Sequence, residues 1–366
     1  MSLTPLHSPS EYLTSCPAVG AGTAGILGRV TDQVGVIGAG AWCTTLAVLL
    51  ADAQRPVSLR AHSSEAAERL AHARANERYL PGVVFPPNVR VVTDDAYLSE
   101  PHRFYVLAVP SAHVRTALEA VGPLLDPGAP ILSVVKGIEE RTHLRMTQVI
   151  DDVLAGRRVA ALSGPNLARE IAGGKPAGSV IASEDAELAA ELASVLSSDR
   201  FRVYTNPDVI GVELCGALKN VVALAAGMVD GLGLGDSAKA GIITRGLAEM
   251  TRLGVAAGAH PLTFAGLAGV GDLIATCMSP LSRNRRAGEL IASGVPWPEA
   301  RERLTGVAEG VDTVTGALEL AASHGVEMPI AEQVRAVVFE ARAPLAAVAE
   351  LMARAPKDEL SPSVSR

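Results

Sequence analysis

The sequence predicts an α/β protein, a doubly wound, largely parallel sheet followed by an all-helical C-terminal domain. Three observations carry that class. From about Gln33 to Tyr204, short β-branched runs alternate with helical patterns, the arrangement that builds a parallel sheet covered by helices on both faces. Past Asn206-Pro207 the β-runs give way to long stretches rich in Ala, Leu and Gly, which read as helices. At the head of the alternating half, the apolar run Val34-Gly35-Val36-Ile37 meets Gly38-Ala39-Gly40 and then an apolar-periodic helix over Thr44–Ala53. A strand, a Gly-x-Gly turn and a helix in that order begin a dinucleotide-binding βαβ unit of the Rossmann type.

Strands are expected at Val34–Ile37, Val57–Arg60, Val89–Thr93, Arg103–Val109, Pro130–Val134, Val159–Leu162, Gly178–Ala182 and Phe201–Tyr204. Helical stretches lie between most of them, among them Glu65–Ala75, His113–Val121 and Ala186–Leu196. The helical half is expected to contain Val209–Asp230, Ser237–Gly258, Ser282–Ser293 and Val311–His324, with Pro207 near the start of the first. The chain thus divides into a flexible N-terminal extension over 1–32, a dinucleotide-binding domain over 33–206, a helical substrate domain over 207–354 and a flexible tail over 355–366.

Composition narrows the function classes. With 366 residues there is enough chain for two domains with full cores. Hydrophobic residues make up 48% and aromatics 3%, so the core is aliphatic and alanine-rich. A net charge of −7 gives no field to draw the chain to nucleic acid or to an anionic membrane. A phosphorylated ligand must therefore meet a local cluster of basic groups. Cys16, Cys43, Cys215 and Cys277 are far apart and the eight histidines are dispersed. That spacing argues for reduced thiols in the cytoplasm and against a disulfide framework or a metal site. No uninterrupted apolar stretch is expected to span a bilayer. Leu13-Thr14-Ser15-Cys16 resembles a lipoprotein cleavage box but lacks basic and apolar regions before it. Lys357-Asp358-Glu359-Leu360 is not at the terminus, where a retention signal would stand.

Several groups of residues carry candidate chemistry. Gly38 permits the tight turn, and Gly40 lets the backbone approach a pyrophosphate at the helix N-terminus. Cys43 stands where the fingerprint has its third glycine, and a thiol at such a helix start is expected to have a lowered pKa. Lys219 has no charged neighbour three or four residues away on its helix. Either it snorkels to water or it projects into a cleft, where desolvation lowers its pKa. Ser282-Arg283-Asn284-Arg285-Arg286 is the densest cationic cluster; it is a solvated face or a phosphate site at a helix start. Asp272, after Gly269-Val270-Gly271, is an N-cap or a functional acid. Lys136-Gly137 and Ser163-Gly164-Pro165-Asn166 each follow a strand, as plain βα turns or as turns facing a ligand.

In this order, the motifs resemble the bacterial NAD(P)-dependent glycerol-3-phosphate dehydrogenases over roughly residues 33–345. The likeness takes in Asn76-Glu77-Arg78-Tyr79-Leu80-Pro81, Lys136-Gly137-Ile138-Glu139, Ser163–Ala168, Ala217-Leu218-Lys219-Asn220-Val221, Ala238-Lys239-Ala240 and Ile243–Glu249. The resemblance implies that Lys219 is the general acid/base at the substrate C2 oxygen. It implies substrate contacts at Lys136, Gly164, Asn166, Asp272, Ser282, Arg283 and Asn284. Cofactor contacts are implied at Ala41, Trp42, His62, Lys136, Ala168, Arg283, Val307 and Glu309. The second strand ends in Arg60-Ala61-His62-Ser63-Ser64 without the acid that binds a ribose 2′-hydroxyl. Arg60, His62 and Ser63 are therefore expected to receive a 2′-phosphate, favouring NADP over NAD. The expected partner is dihydroxyacetone phosphate or glycerol 3-phosphate, and a homodimer is compatible with the apolar helical half. Cys43, Asn166 and Ser237 depart from the family pattern. Cys43 alone supports a second reading, a catalytically impaired dinucleotide-binding sensor. A third is a related dehydrogenase for another phosphorylated substrate.

Overall fold

The computed structural model describes residues 31–355. Residues 1–30 and 356–366, with the Leu13–Cys16 box and the Lys357–Leu360 segment, lie outside them. Asp32, counted above with the N-terminal extension, is held in place, its Oδ1 accepting from Arg55 at 2.8 Å and from Arg103 at 3.0 Å.

All eight expected strands form: β1 (Val34–Ile37), β2 (Val57–Arg60), β3 (Val89–Val92), β4 (Phe104–Leu107), β5 (Ile131–Ser133), β6 (Val159–Ser163), β7 (Ala177–Ala182) and β8 (Phe201–Asn206). They make one sheet in the order β3-β2-β1-β4-β5-β6-β7-β8. The central strands β1 and β4 are buried along their whole length, as strands covered on both faces must be. Every pairing is parallel except β6 with β7. The connection between those two holds a single helix of five residues, too short to lie across the sheet as a parallel crossover does, so the chain turns back.

Among the described residues, six α-helices belong to the sheet half: α1 (Ala41–Asp52), α2 (Ser64–Ala73), α3 (Val114–Val121), α4 (Met146–Val153), α5 (Ala168–Ala172) and α6 (Ala186–Leu196). One core layer joins Val34, Val36 and Phe104 to Leu46, Leu50 and Leu192. The other joins Ile37, Tyr105 and Leu107 to Leu118, Val149 and Ile150.

Among the described residues, nine α-helices follow: α7 (Val209–Gly231), α8 (Gly235–Ala256), α9 (Pro261–Phe264), α10 (Asp272–Met278), α11 (Arg283–Ala292), α12 (Trp297–Arg303), α13 (Glu309–Ser323), α14 (Pro329–Phe339) and α15 (Pro344–Met352). The helix α7 is the axle of this half, buried almost without interruption from Gly211 to Val229. Its 23 residues are long and apolar enough to cross a membrane, which corrects the expectation that no stretch would be. Burial gives the reason for that composition: α7 is wrapped by protein rather than lipid. Pro261–Met278 passes the same measure, but its backbone leaves helical geometry at Gly269 (φ −87°, ψ −105°). The crossing of α7 and α11 depends on two glycines. A methyl group on Gly227 would strike the Arg285 carbonyl, and one on Gly288 the Leu224 carbonyl.

The turn between β1 and α1 is similarly constrained. Gly38 has φ +120°, and a Cβ there would lie 2.6 Å from the Ala108 carbonyl oxygen; only glycine satisfies both conditions. The Asn76 side chain, 2% exposed, donates to the Ala39 carbonyl at 3.0 Å and to Thr44 Oγ1 at 2.8 Å, pinning the turn from above. Helix α1 starts at Ala41, earlier than expected, and no side chain caps it. The expectation of a low-pKa thiol at Cys43 is overturned. Cys43 is buried, its Sγ accepting from the Gly40 N–H at 3.2 Å and donating to the Ala108 carbonyl at 3.0 Å. Burial pushes the thiol up to about 11, outweighing the Gly40 N–H and the Arg283 charge.

Two outcomes follow from this packing. Gly288→Ala should cost about 1–3 kcal/mol or more, read as a lower urea midpoint; an unchanged midpoint would contradict the close crossing. Cys43, Cys215 and Cys277, all buried with raised pKa values, should resist iodoacetamide at pH 8 in the folded protein and react once it is unfolded. Peptide mapping that finds Cys43 labelled in the native state would refute its burial.

Candidate active site

Past the C-terminal ends of β5 and β6, charged side chains from distant parts of the chain converge. Lys219, in the middle of α7, is only 5% exposed, which excludes snorkelling. Its Nζ donates to Asp272 Oδ1 at 2.5 Å and to Thr276 Oγ1 at 2.8 Å. Asp272 opens α10 but is not its N-cap, which is Gly271; it turns both carboxylate oxygens to cations instead. Its second oxygen, Oδ2, accepts from Lys136 Nζ at 2.7 Å. Lys136 follows β5, and its Nζ also donates to the Gly164 carbonyl at 2.9 Å. Thr276, one turn along α10, donates to the Asp272 backbone carbonyl at 2.7 Å. Each ammonium carries three N–H donors and has two of them engaged here, so one on Lys219 and one on Lys136 remain for a ligand.

Burial lowers the Lys219 pKa to about 8; Asp272 pulls it up and Lys136 pushes it further down. Burial would raise the Asp272 carboxyl, but the ammonium groups of Lys136 and Lys219 outweigh it and hold Asp272 below the ordinary carboxylate range.

Gly164 has φ +152°, and a Cβ there would lie 2.9 Å from Ser179 Cα, so its carbonyl can be aimed at Lys136 only because it is glycine. Asn166 Oδ1 accepts from Ser179 Oγ at 3.2 Å. Asn166 Nδ2 and Ser163 Oγ are buried without a partner.

The cationic cluster divides by direction. Ser282 caps α11, its Oγ accepting from the Arg285 N–H at 3.2 Å. Asn284 is 7% exposed, and its amide acts as a staple: Nδ2 donates to Asn220 Oδ1 at 2.9 Å while Oδ1 accepts from the Gly310 N–H at 2.9 Å. Arg285 turns inward and donates to Asp230 Oδ2 at 2.6 Å, and the same oxygen accepts from Lys239 Nζ at 2.7 Å. Arg283 and Arg286 are exposed, and among the described residues neither side chain makes a hydrogen bond or ion pair. The Arg283 guanidinium lies against Gly306, where a Cβ would come within 2.7 Å of Nη1. Glu309, the first residue of α13, feels the charges of Arg283, Lys136 and Lys219, although burial raises its carboxyl overall. Val307 lies just before it and is 36% exposed.

On the opposite wall, Ala41 and Trp42 form the first turn of α1. Trp42 Nε1 is buried without a partner, and its ring meets Phe201 edge-on at 6.2 Å. The Ala168 carbonyl, at the start of α5, accepts from Thr45 Oγ1 at 3.2 Å. Arg60 is not unpartnered, because Asp95 holds its guanidinium through two bonds of 2.8 and 3.0 Å. His62 is exposed, and Ser63 caps α2 by accepting from the Ala66 N–H at 3.2 Å. Sequence reasoning missed Thr276, Asn220 and Asn76 as parts of this arrangement. For Thr276 the signal was its i+4 spacing from Asp272, and for Asn220 its place beside Lys219 on α7.

The family model for the N-terminus of NAD-dependent glycerol-3-phosphate dehydrogenase matches residues 33–189, and that for its C-terminus matches residues 208–349. A glycerol-3-phosphate dehydrogenase [NAD(P)+] of Streptomyces coelicolor is 48% identical over 329 residues, covering 89% of this chain and 98% of that protein. One of Thermobifida fusca is 48% identical over 330 residues, with the same two coverages. The crystal structure of the Coxiella burnetii glycerol-3-phosphate dehydrogenase matches with a TM-score of 0.86 and 36% identity, covering 88% of this chain and 99% of that one. Likeness at this level, running through both halves, places the chain in the NAD-dependent glycerol-3-phosphate dehydrogenase family.

Proposed function

We propose that this protein interconverts sn-glycerol 3-phosphate and dihydroxyacetone phosphate with NAD(P), supplying glycerol 3-phosphate for phospholipid synthesis in the cytoplasm. The observation that carries the reading is the Lys219–Asp272–Lys136 cluster, a buried carboxylate that holds two ammonium groups, each with a donor to spare. Two features of the chain fit a dinucleotide. The glycine turn admits no side chain at Gly38, and the uncapped first turn of α1 offers N–H donors to a pyrophosphate. NAD(P)H, when bound, supplies the hydride.

The chain's own residues handle the proton and the charge. Lys219 gives a proton to the C2 oxygen on reduction and removes it on oxidation, for which a pKa of about 8 suits it. Asp272 keeps that ammonium in place, and Thr276 fixes its second hydrogen bond, so the remaining N–H has one direction. Lys136 adds a second positive charge where the alkoxide develops. Arg283 takes the substrate phosphate, aided by the N–H groups of the α11 start at Ser282, and this remote contact orients the reacting carbon. Gly164 and Asn166 shape the floor, and Asn284 braces α11 against Asn220.

Ala41, Trp42, Ala168, Val307 and Glu309 line the proposed cofactor site. NADP remains the favoured cofactor, with His62 and Ser63 at the α2 start as its 2′-phosphate contacts. Arg60 joins them only by sharing or leaving Asp95. The division between a dinucleotide domain and a substrate domain near residue 206 follows the change from sheet to helices. A homodimer remains part of the proposal. The sensor alternative loses its one support, because the Cys43 thiol is accommodated by hydrogen bonds at both sides.

The test is NADPH oxidation with dihydroxyacetone phosphate; no turnover by the wild-type protein would refute the reading. Lys219→Ala should lower kcat/KM by at least about a hundredfold, and full activity would remove Lys219 from its role. The sign of the pH dependence follows from the ammonium. Reduction needs Lys219 protonated, so its rate should be level below pH 8 and fall above, while oxidation should rise through the same range. Arg283→Ala should raise the substrate KM at least about tenfold.

A further inference from the structure

One cavity lies apart from the Lys219–Asp272–Lys136 cluster and shares Val307 with the proposed cofactor site. It encloses about 230 Å³ between the two halves of the chain. Arg78 and Tyr79 line it from the sheet half, and Trp297, Arg301, Gly306 and Asp312 from the helical half. Two short paths tie it to the glycine turn. Arg78 stands two residues after Asn76, whose side chain holds the Ala39 carbonyl, and a tight turn follows, with the Tyr79 and Leu80 N–H groups donating to the Asn76 carbonyl. On the other side, Gly306 (φ +100°) lies directly against the Arg283 guanidinium, and Arg283 is near enough to Cys43, beneath the turn, to act on its thiol. The cavity therefore lies between Arg283 and the segment whose Asn76 side chain holds the glycine turn.

Its charge is informative. The Arg78 guanidinium lies over the Tyr79 ring at 5.1 Å. Neither Arg78 nor Arg301 makes a side-chain hydrogen bond or ion pair with any described residue. The nearby acids are Asp312 and Glu309, so this rim repels an anion unless the arginines face it. In a chain of net charge −7, two guanidinium groups with their N–H donors unused stand on opposite sides of one cavity; Arg301 feels the Asp312 carboxylate without a hydrogen bond to it, and together the two make a local anion site.

We propose that Arg78 and Arg301 form a clamp, one jaw from each half of the chain, on the pyrophosphate of the dinucleotide above the glycine turn. The α1 N-terminus meets that group from below with N–H donors, and the arginines neutralise it from above. The clamp rests on the dinucleotide reading given under Proposed function.

The experiment compares the full-length wild type with Arg78→Gln, Arg301→Gln and the double variant. Dissociation constants for NADH and NADPH are measured by fluorescence, alongside KM for dihydroxyacetone phosphate and the melting temperature. Each single change should weaken NADH and NADPH alike by about 3–10-fold, and the double change by more. The substrate KM should stay within about twofold, and added salt should weaken dinucleotide binding less in the double variant than in the wild type. Arg78→Lys should restore part of the affinity. Unchanged dinucleotide binding in the double variant would overturn the clamp, as would a loss confined to NADPH, which points to the 2′-phosphate instead. A lowered melting temperature with both ligands weakened equally would assign the arginines a structural role. A wild type that fails to turn over counts against the proposed function, not against the clamp.

Discussion

The Asp272 carboxylate, 1% exposed and gripped by two ammonium groups, is the constraint on which the rest of the site depends. A buried charge is tolerated only when paired and hydrogen-bonded, and here each oxygen has its own lysine. One lysine comes from the end of β5 and the other from the centre of α7. The same carboxylate therefore fixes the relative positions of the sheet and the helical axle. It also bears on the chemistry, because it offsets part of the desolvation that lowers the Lys219 pKa.

Helix α7 makes this geometry possible. Its small residues let α11 approach until backbone meets backbone at Gly227 and Gly288, and α11 brings Arg283 to the cleft. Asn220, the residue after Lys219, ties α7 to the Lys136 carbonyl and to Asn284, whose other end reaches the start of α13. Three segments are thereby registered against one helix by side-chain amides, where a charge would have competed with the reacting groups.

The fold was legible because its signals are local. Val34–Ile37 and Ala186–Leu196 end where their apolar patterns end. The start of α1 was read three residues late because Gly40 carries no capping side chain to announce it. The reversal of β7 was hidden, since strand direction depends on how far a connection can reach rather than on the strand's own residues. Lys219, Asp272 and Arg283 could be named from their settings and the family likeness. What each touches could not, because the partners are non-local: Asp95 lies 35 residues from Arg60, and Asp272 lies 136 from Lys136. Cys43 was misread for the same reason. Its helix-start position is visible in the sequence, while the Ala108 carbonyl that seals it comes from just past the end of β4.

The placement of Asn76 has a consequence for how the protein tolerates change. One amide ties the glycine turn to the segment that leads into Arg78, so the turn and that segment are mechanically one piece. Drift in the 76–81 loop is then felt at the turn itself, although the loop is remote from the reacting carbon. Substitutions there should spread their effects to the turn, whereas His62 and Ser63, on the exposed shoulder of α2, are linked to it by no such amide and, in the proposed cofactor site, can vary independently.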